Sequence, residues 1–344
     1  EGQYVVSGSN KISKWSNDRQ SLSAKQNLAK EMGAAAFILI DESLFKRYAR
    51  YYKRKDQSDG ETNLSLDVNS NPFYGFLVGD NIGESLMQKK NGLYYNDIQI
   101  DYKNTYESLV SENVVALIPG SEKPNEYIVI SAHLDHIGIH HGAVFNGADD
   151  DGSGTVAILE IAEAFQKAVQ NGDGPKRSIL LLHVSAEEKG LLGSQYYTDF
   201  DPIVPLKNTV ANLNIDMIGR TDPKRKNGKR NYIYLIGSDK LSTELHEISE
   251  MVNEKYTGIE LDYTFNDEND PNRFYYRSDH YNFANKNIPI IFYFNGTHED
   301  YHKATDTVDK IEFDLLENRT KLVFYTAWEL ANRKERVVVD KKFK

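Results

Sequence analysis

Tyr127-Ile-Val-Ile-Ser-Ala-His-Leu-Asp135 is an apolar run of strand length that ends on a histidine, with a carboxylate two residues beyond. The chain beyond it repeats the pattern. A helical periodicity covers Thr155 to Val169, a second apolar strand runs from Ser178 to Ser185, a helix begins near Glu187, and another strand spans Thr209 to Ile215. Further strands are expected at Tyr232 to Ile236 and Ile288 to Phe294, with helices at Leu241 to Tyr256 and Phe313 to Arg333. Alternation of this kind predicts an α/β domain whose sheet is mixed but mostly parallel, with helices on both faces.

Five groups with metal-ligating chemistry sit at the C-terminal ends of strands or in the loops after them. These groups are His133, Asp150 in Gly-Ala-Asp-Asp-Asp-Gly, Glu188 in Ser-Ala-Glu-Glu-Lys-Gly, Asp216 in Asn-Ile-Asp-Met-Ile-Gly, and His302 in Tyr-His-Lys. Ligands of open α/β sheets collect at the C-terminal ends of strands. Taken singly, each has a structural reading: a strand-end histidine, an acidic turn capping the Thr155 helix, a helix N-terminus favouring Glu187 and Glu188, a buried Asp216 needing a partner. Taken together they point to a two-metal hydrolase. Hard oxygen donors mixed with two imidazoles suit zinc. Asp135 is placed to accept the other ring N–H of His133, while His136, His140 and His141 read as rim residues. Of the adjacent acids, one can bind metal while its neighbour stays free to move protons. An EF-hand reading counts Asp149, Asp151 and Glu160 as calcium ligands. It fails because no helix precedes the loop and Glu160 falls inside the next one.

Composition narrows the class. The chain has 344 residues, 40% hydrophobic and 27% charged, with a net charge of -10. That balance argues against nucleic acid as a partner, since the one concentrated basic run, Pro223 to Arg230, reads as a loop tip. Without cysteine there is no disulfide, thiol nucleophile or Cys-based zinc site. No apolar stretch is long enough for a membrane span. The polar opening, Glu1 to Ser9, reads as a trimmed start, and the whole suits an exported bacterial enzyme. Residues 1–110 read as a separate, smaller α/β lobe acting as lid or recognition element. Its expected pieces are a helix over Leu22 to Met32, a strand Ala34 to Ile40, a helix Ser43 to Lys53, a polar stretch Lys55 to Asn71, a strand Phe73 to Val78, a helix Asp80 to Lys90 and an alternating segment Asp97 to Tyr102. The catalytic domain is expected over 111–344.

From about Glu112 to Glu335 the chain resembles the co-catalytic di-zinc aminopeptidase family, with all five ligand motifs in family order. The resemblance implies a zinc exopeptidase fold and a peptide substrate. One ion would take His133, Asp150 and Asp216, and the other Asp150, Glu188 and His302, with Glu187 as general base. Tyr301 matches a tyrosine that in some members bonds the developing oxyanion, and elsewhere is a packing aromatic. Ser278 and Asp279 match a family segment supporting the pocket. Leu28 to Asp41 and Phe73 to Met87 resemble parts of a protease-associated domain. Aminopeptidase activity is the expectation. The alternatives are a carboxypeptidase of the same fold, for which Arg273 and Arg277 are the cations available to a terminal carboxylate, a glutaminyl cyclase, and a non-catalytic metal-binding module.

Overall fold

The computed structural model describes residues 19–55, 64–66, 73–86, 99–101, 107–226 and 228–342. The polar opening lies outside these residues, as do most of the polar stretch from Lys55, the end of the helix expected to reach Lys90, and half of the segment Asp97 to Tyr102. The chain divides into two compact units, Glu1–Ser108 and Leu109–Lys344.

In the first unit, helix α1 (Arg19–Glu31) precedes strand β1 (Ala36–Ile40), helix α2 (Glu42–Lys55), strand β2 (Tyr74–Val78) and helix α3 (Asp80–Leu86). The two strands pair in parallel, Ala36 opposite Tyr74. Asp41 starts α2 by accepting the Leu44 N–H at 2.9 Å, a side-chain cap on an otherwise unpaired helix donor. Glu42 then accepts the Asp80 N–H at 2.8 Å, tying α2 to the start of α3.

The second unit carries strands β3 (Val114–Ile118), β4 (Lys123–His133), a short hairpin β5 (Gly138–His140) and β6 (Ala143–Phe145), helix α4 (Gly152–Gln170), β7 (Arg177–Val184), α5 (Leu192–Asp199), β8 (Thr209–Ile215), β9 (Tyr232–Ile236), α6 (Thr243–Val252), β10 (Glu260–Asp262), α7 (His280–Ala284), β11 (Ile290–Phe294) and α8 (Phe313–Asn332). Seven strands form one sheet in the order β10-β9-β11-β8-β4-β7-β3. Pairing is parallel except where β3 meets β7 and β11 meets β9. The last strand therefore lies in the interior of the sheet, between β8 and β9.

Burial on both faces explains the continuous apolar strands. Ile128, Ile130 and Ala132 of β4 face one core with α4, α6 and α8, whereas Tyr127 and Val129 face the other with α5 and α7. Helix α4 offers Ala157, Ile158, Ile161 and Phe165, a single helical stripe. On β8 the second face is polar. Asn212 donates to the Ser131 hydroxyl at 2.8 Å, Ser131 donates to Asn214 at 2.6 Å, and Asn214 donates to Ser278 at 2.9 Å. Arg177, fully buried at the start of β7, donates to the carbonyls of Leu330 and Arg333 at 3.1 and 2.6 Å. It thereby closes the C-terminal end of α8, where unpaired carbonyls favour a cation.

Candidate active site

Parallel pairing of β4, β7, β8 and β11 sends their C-terminal ends to one edge, where His133, Glu187, Glu188, Asp216 and His302 meet Asp150 from the loop before α4. Asp150 is central. Its Oδ1 lies 3.3 Å from His133 Nε2, and its Oδ2 lies 3.1 Å from His302 Nε2. Asp216 Oδ1 is 3.8 Å from His133 Nε2, and Glu188 Oε2 is 3.2 Å from His302 Nε2. The donors thus fall into two sets sharing one carboxylate: His133, Asp150 and Asp216 on one side, Asp150, Glu188 and His302 on the other. His133 Nε2, Asp150 Oδ2 and Glu188 Oε1 are buried without hydrogen-bond partners. Buried polar atoms are costly when unpaired, and a convergent set of them is what divalent cations satisfy. The residues therefore fit a divalent metal centre of the zinc type.

Asp151 also comes near His133 and Asp216, but its oxygens are already engaged. Oδ1 accepts the N–H groups of Gly154 at 2.9 Å and Met217 at 3.1 Å, and Oδ2 accepts the His133 N–H at 3.3 Å. Asp149 is likewise engaged, accepting the Gly219 N–H at 2.6 Å and pairing with His298 Nε2 at 3.1 Å. Neither is free for a calcium loop, and Glu160 lies within α4. The Asp150–Asp151 peptide is cis.

Electrostatics separate the two glutamates. Burial, reinforced by Asp216, Asp279 and Asp150, holds the Glu187 carboxyl well above the usual carboxylate range. Burial would also raise Glu188, but His136 and His302 outweigh it and bring Glu188 down to about 2. For His302 burial acts downward and is overcome by Asp150 and Glu188, which lift it to about 9. His133 is raised in the same way by Asp150 and Asp216.

Some contacts differ from the sequence expectation. Asp135 reaches the His133 ring through its backbone carbonyl, 2.9 Å from Nδ1, while its carboxylate stands 3.9 Å away. That carboxylate instead accepts the backbone N–H groups of Glu187 at 3.0 Å and Glu188 at 3.2 Å, so it fixes the acidic turn rather than the imidazole. Ser278 hydrogen-bonds Asp216 and ends the Asn212–Ser131–Asn214 ladder. Asp279 accepts from Ser194 at 2.5 Å, and burial lifts it to about 7. His136 is not a rim residue: its side chain is 8% exposed, and Nδ1 lies 2.9 Å from Glu188 Oε1. Sequence reasoning also misses Asp149, His298 and Asp306. Asp306 accepts the N–H groups of Asp149 at 3.0 Å and Asp150 at 3.2 Å. The one signal for these three is their closeness in sequence to Asp150 and His302.

The cavity over the site is lined by Asp150, Glu187, Asp216, Tyr301 and His302, with Met217, Phe274, Phe292 and Phe294 as an apolar wall. Arg277 stands at its edge, donating to the Tyr301 hydroxyl at 3.1 Å. Arg273 is stacked over Tyr276, 4.7 Å from the ring centroid, and does not line the cavity. The basic run is engaged elsewhere: Arg225 pairs with Asp262 at 3.0 Å and stacks on Tyr232, and Arg230 pairs with Glu312 and Asp314.

Residues 113–327 match the family model described as peptidase family M28. The chain belongs to that family. As an M28 member it is 32% identical over 229 residues to "Leucine aminopeptidase 1" of Coccidioides posadasii, covering 64% of this chain and 55% of the relative. Among solved structures it resembles LapB from Legionella pneumophila, at 29% identity and TM-score 0.52, over 64% of this chain and 55% of that one. It shares its fold with BSAP, a zinc aminopeptidase from Bacillus subtilis, at 22% identity and TM-score 0.52, over 90% and 67% of the two chains. This M28 chain thus spans about half the length of the fungal relative and of LapB.

Proposed function

We propose that the protein is an aminopeptidase that hydrolyses the N-terminal residue from peptides with two zinc ions. One ion would be held by His133, Asp150 and Asp216, and the other by Asp150, Glu188 and His302. The ions would supply Lewis acidity toward the scissile carbonyl and the attacking water. Glu187 takes the proton from that water and returns it to the leaving amine. Its raised pKa brings it nearer to the pH range where a carboxylate is an effective general base. Tyr301 donates a hydrogen bond to the developing oxyanion. Burial keeps its phenol protonated, and Arg277 holds it from behind. Asp135 sets the Glu187–Glu188 turn, and Ser278 orients Asp216.

The observation that favours an N-terminal over a C-terminal substrate end is the supply of cations at the cavity. Among the described residues its lining holds one arginine or lysine, Arg277, and that side chain already donates to Tyr301. A terminal carboxylate therefore finds no unengaged arginine or lysine there, whereas a substrate N-terminus needs none. The apolar wall of Met217, Phe274, Phe292 and Phe294 suits an uncharged side chain at the first position.

The test compares one peptide with its N-acetylated and C-amidated forms, with zinc measured in the same sample. Cleavage is expected to survive amidation and vanish on acetylation. The reverse result makes the protein a carboxypeptidase and overturns the reading.

A further inference from the structure

We propose that His136 is a fourth protein donor to the metal locus formed by Asp150, Glu188 and His302; the proposal rests on the two-metal reading. His136 follows β4 by three residues, and its ring enters the site beside the second donor set. Nδ1 lies 2.9 Å from Glu188 Oε1 and 3.9 Å from Asp150 Oδ2. The ring meets His302 edge-on, with centroids 5.8 Å apart. Despite this closeness, His136 Nδ1, Glu188 Oε1 and Asp150 Oδ2 are buried without hydrogen-bond partners, and so is His136 Nε2. Lone pairs that are close, convergent and unbonded are arranged as ligands of one cation. A buried imidazole with both nitrogens unpaired is otherwise unfavourable.

The backbone is built around this ring. Gly147 has φ +63°, and a Cβ there would lie 2.5 Å from His136 Cγ and against the Asp150 carbonyl oxygen. Only glycine lets the Asp150 loop close onto the imidazole. His140 and His141, by contrast, lie against each other as tilted rings with centroids 4.1 Å apart and take no part in the donor set. The two loci then differ: one has a single imidazole, the other two, and nitrogen donors favour zinc and cobalt over hard cations. The locus with His136 fills first.

Titration of the metal-free protein with cobalt, read by visible d–d absorption and calorimetry, tests this. Wild type is expected to fill in two steps. In His136→Gln the tighter step weakens at least about tenfold and its band shifts, because a nitrogen has left the coordination sphere. Glutamine keeps a polar amide beside Glu188 while removing the imidazole nitrogens, so unchanged affinity, or weaker affinity with an unchanged band, overturns the proposal and leaves the two-metal reading standing. Wild type binding fewer than two ions overturns both. Should His136→Gln fail to fold, the hyperfine-shifted ring N–H resonances of the wild-type cobalt protein decide: three histidines support the proposal, and two overturn it.

Discussion

Glu187 and Glu188 are neighbours, yet their surroundings drive the two carboxyls in opposite directions, and such divergence marks a division between acid–base and ligand roles. Glu187→Gln should keep both zinc ions and lose turnover by roughly 10²- to 10⁴-fold, measured as kcat and zinc content on one sample. A fully active, metal-replete variant would remove Glu187 from the mechanism. A second opposed pair lies beside the site. Burial lifts Asp279 to about 7 and lowers His280 to about 3. Below pH 6.5 an unfolded histidine takes up a proton that buried His280 refuses, so its contribution is present above 6.5 and lost on acidification. Asp279 acts in the other sense: its folded form holds a proton up to about pH 7, so its cost grows as pH rises from 3.8. The two slopes oppose each other between 3.8 and 6.5. In metal-free protein Asp279→Asn should unmask the histidine, with stability falling by up to about 1.4 kcal/mol per pH unit below 6.5 in urea titrations. A slope unchanged from wild type would contradict the assignment.

Between elements, the loops that carry the proposed ligands are tied together by a carboxylate outside that set. Asp149 joins the loop before α4 to the loop after β8 through Gly219, and to the loop after β11 through His298. Asp149→Ala should cost about 1–3 kcal/mol for each buried partner left unpaired and weaken zinc binding, read by denaturation and by metal titration. Arg177→Met tests a different junction, the end of α8 on the start of β7. It removes the donor to the carbonyls of Leu330, Arg333 and Lys334 and should destabilise the fold in denaturation without altering zinc affinity. These junctions explain what the sequence shows and what it conceals. Charges that interrupt apolar strands, such as Asp216 within Val210 to Met217, are visible because their cost demands an explanation. The roles of Asp149, His298 and Asp306 arise from contacts between distant loops, which no local pattern encodes. The hairpin β5–β6 and the helix α7 are too short to impose a periodicity. His136 looks like a rim residue in the sequence because its loop's direction, set by Gly147, is invisible in composition. The helix expected from Glu187 begins instead at Leu192, since residues 187–191 turn to present the two glutamates.

For the whole second unit, the concentration of buried carboxylates makes stability depend on cations. Chelation should lower the Tm and zinc should restore it, by about 2.7 kcal/mol per site at free zinc a hundredfold above its Kd. Insensitivity of the Tm to chelator would argue that the donor set is not a metal centre. The order of the sheet adds a consequence in time. β9 and β10 connect to the other strands only through β11, which is also the strand that delivers His302. A chain cut before β11 can still pair β3, β4, β7 and β8, but it lacks the strand that joins β9 and β10 to them and, with it, His302 of the proposed ligand set. The pairings of β11 with β8 and β9 join segments far apart in sequence, which is expected to slow folding of this unit. Under the proposed assignment, a chain truncated before β11 would keep four of the five ligands, His133, Asp150, Glu188 and Asp216, and should carry the acids of a peptidase without the power to cut.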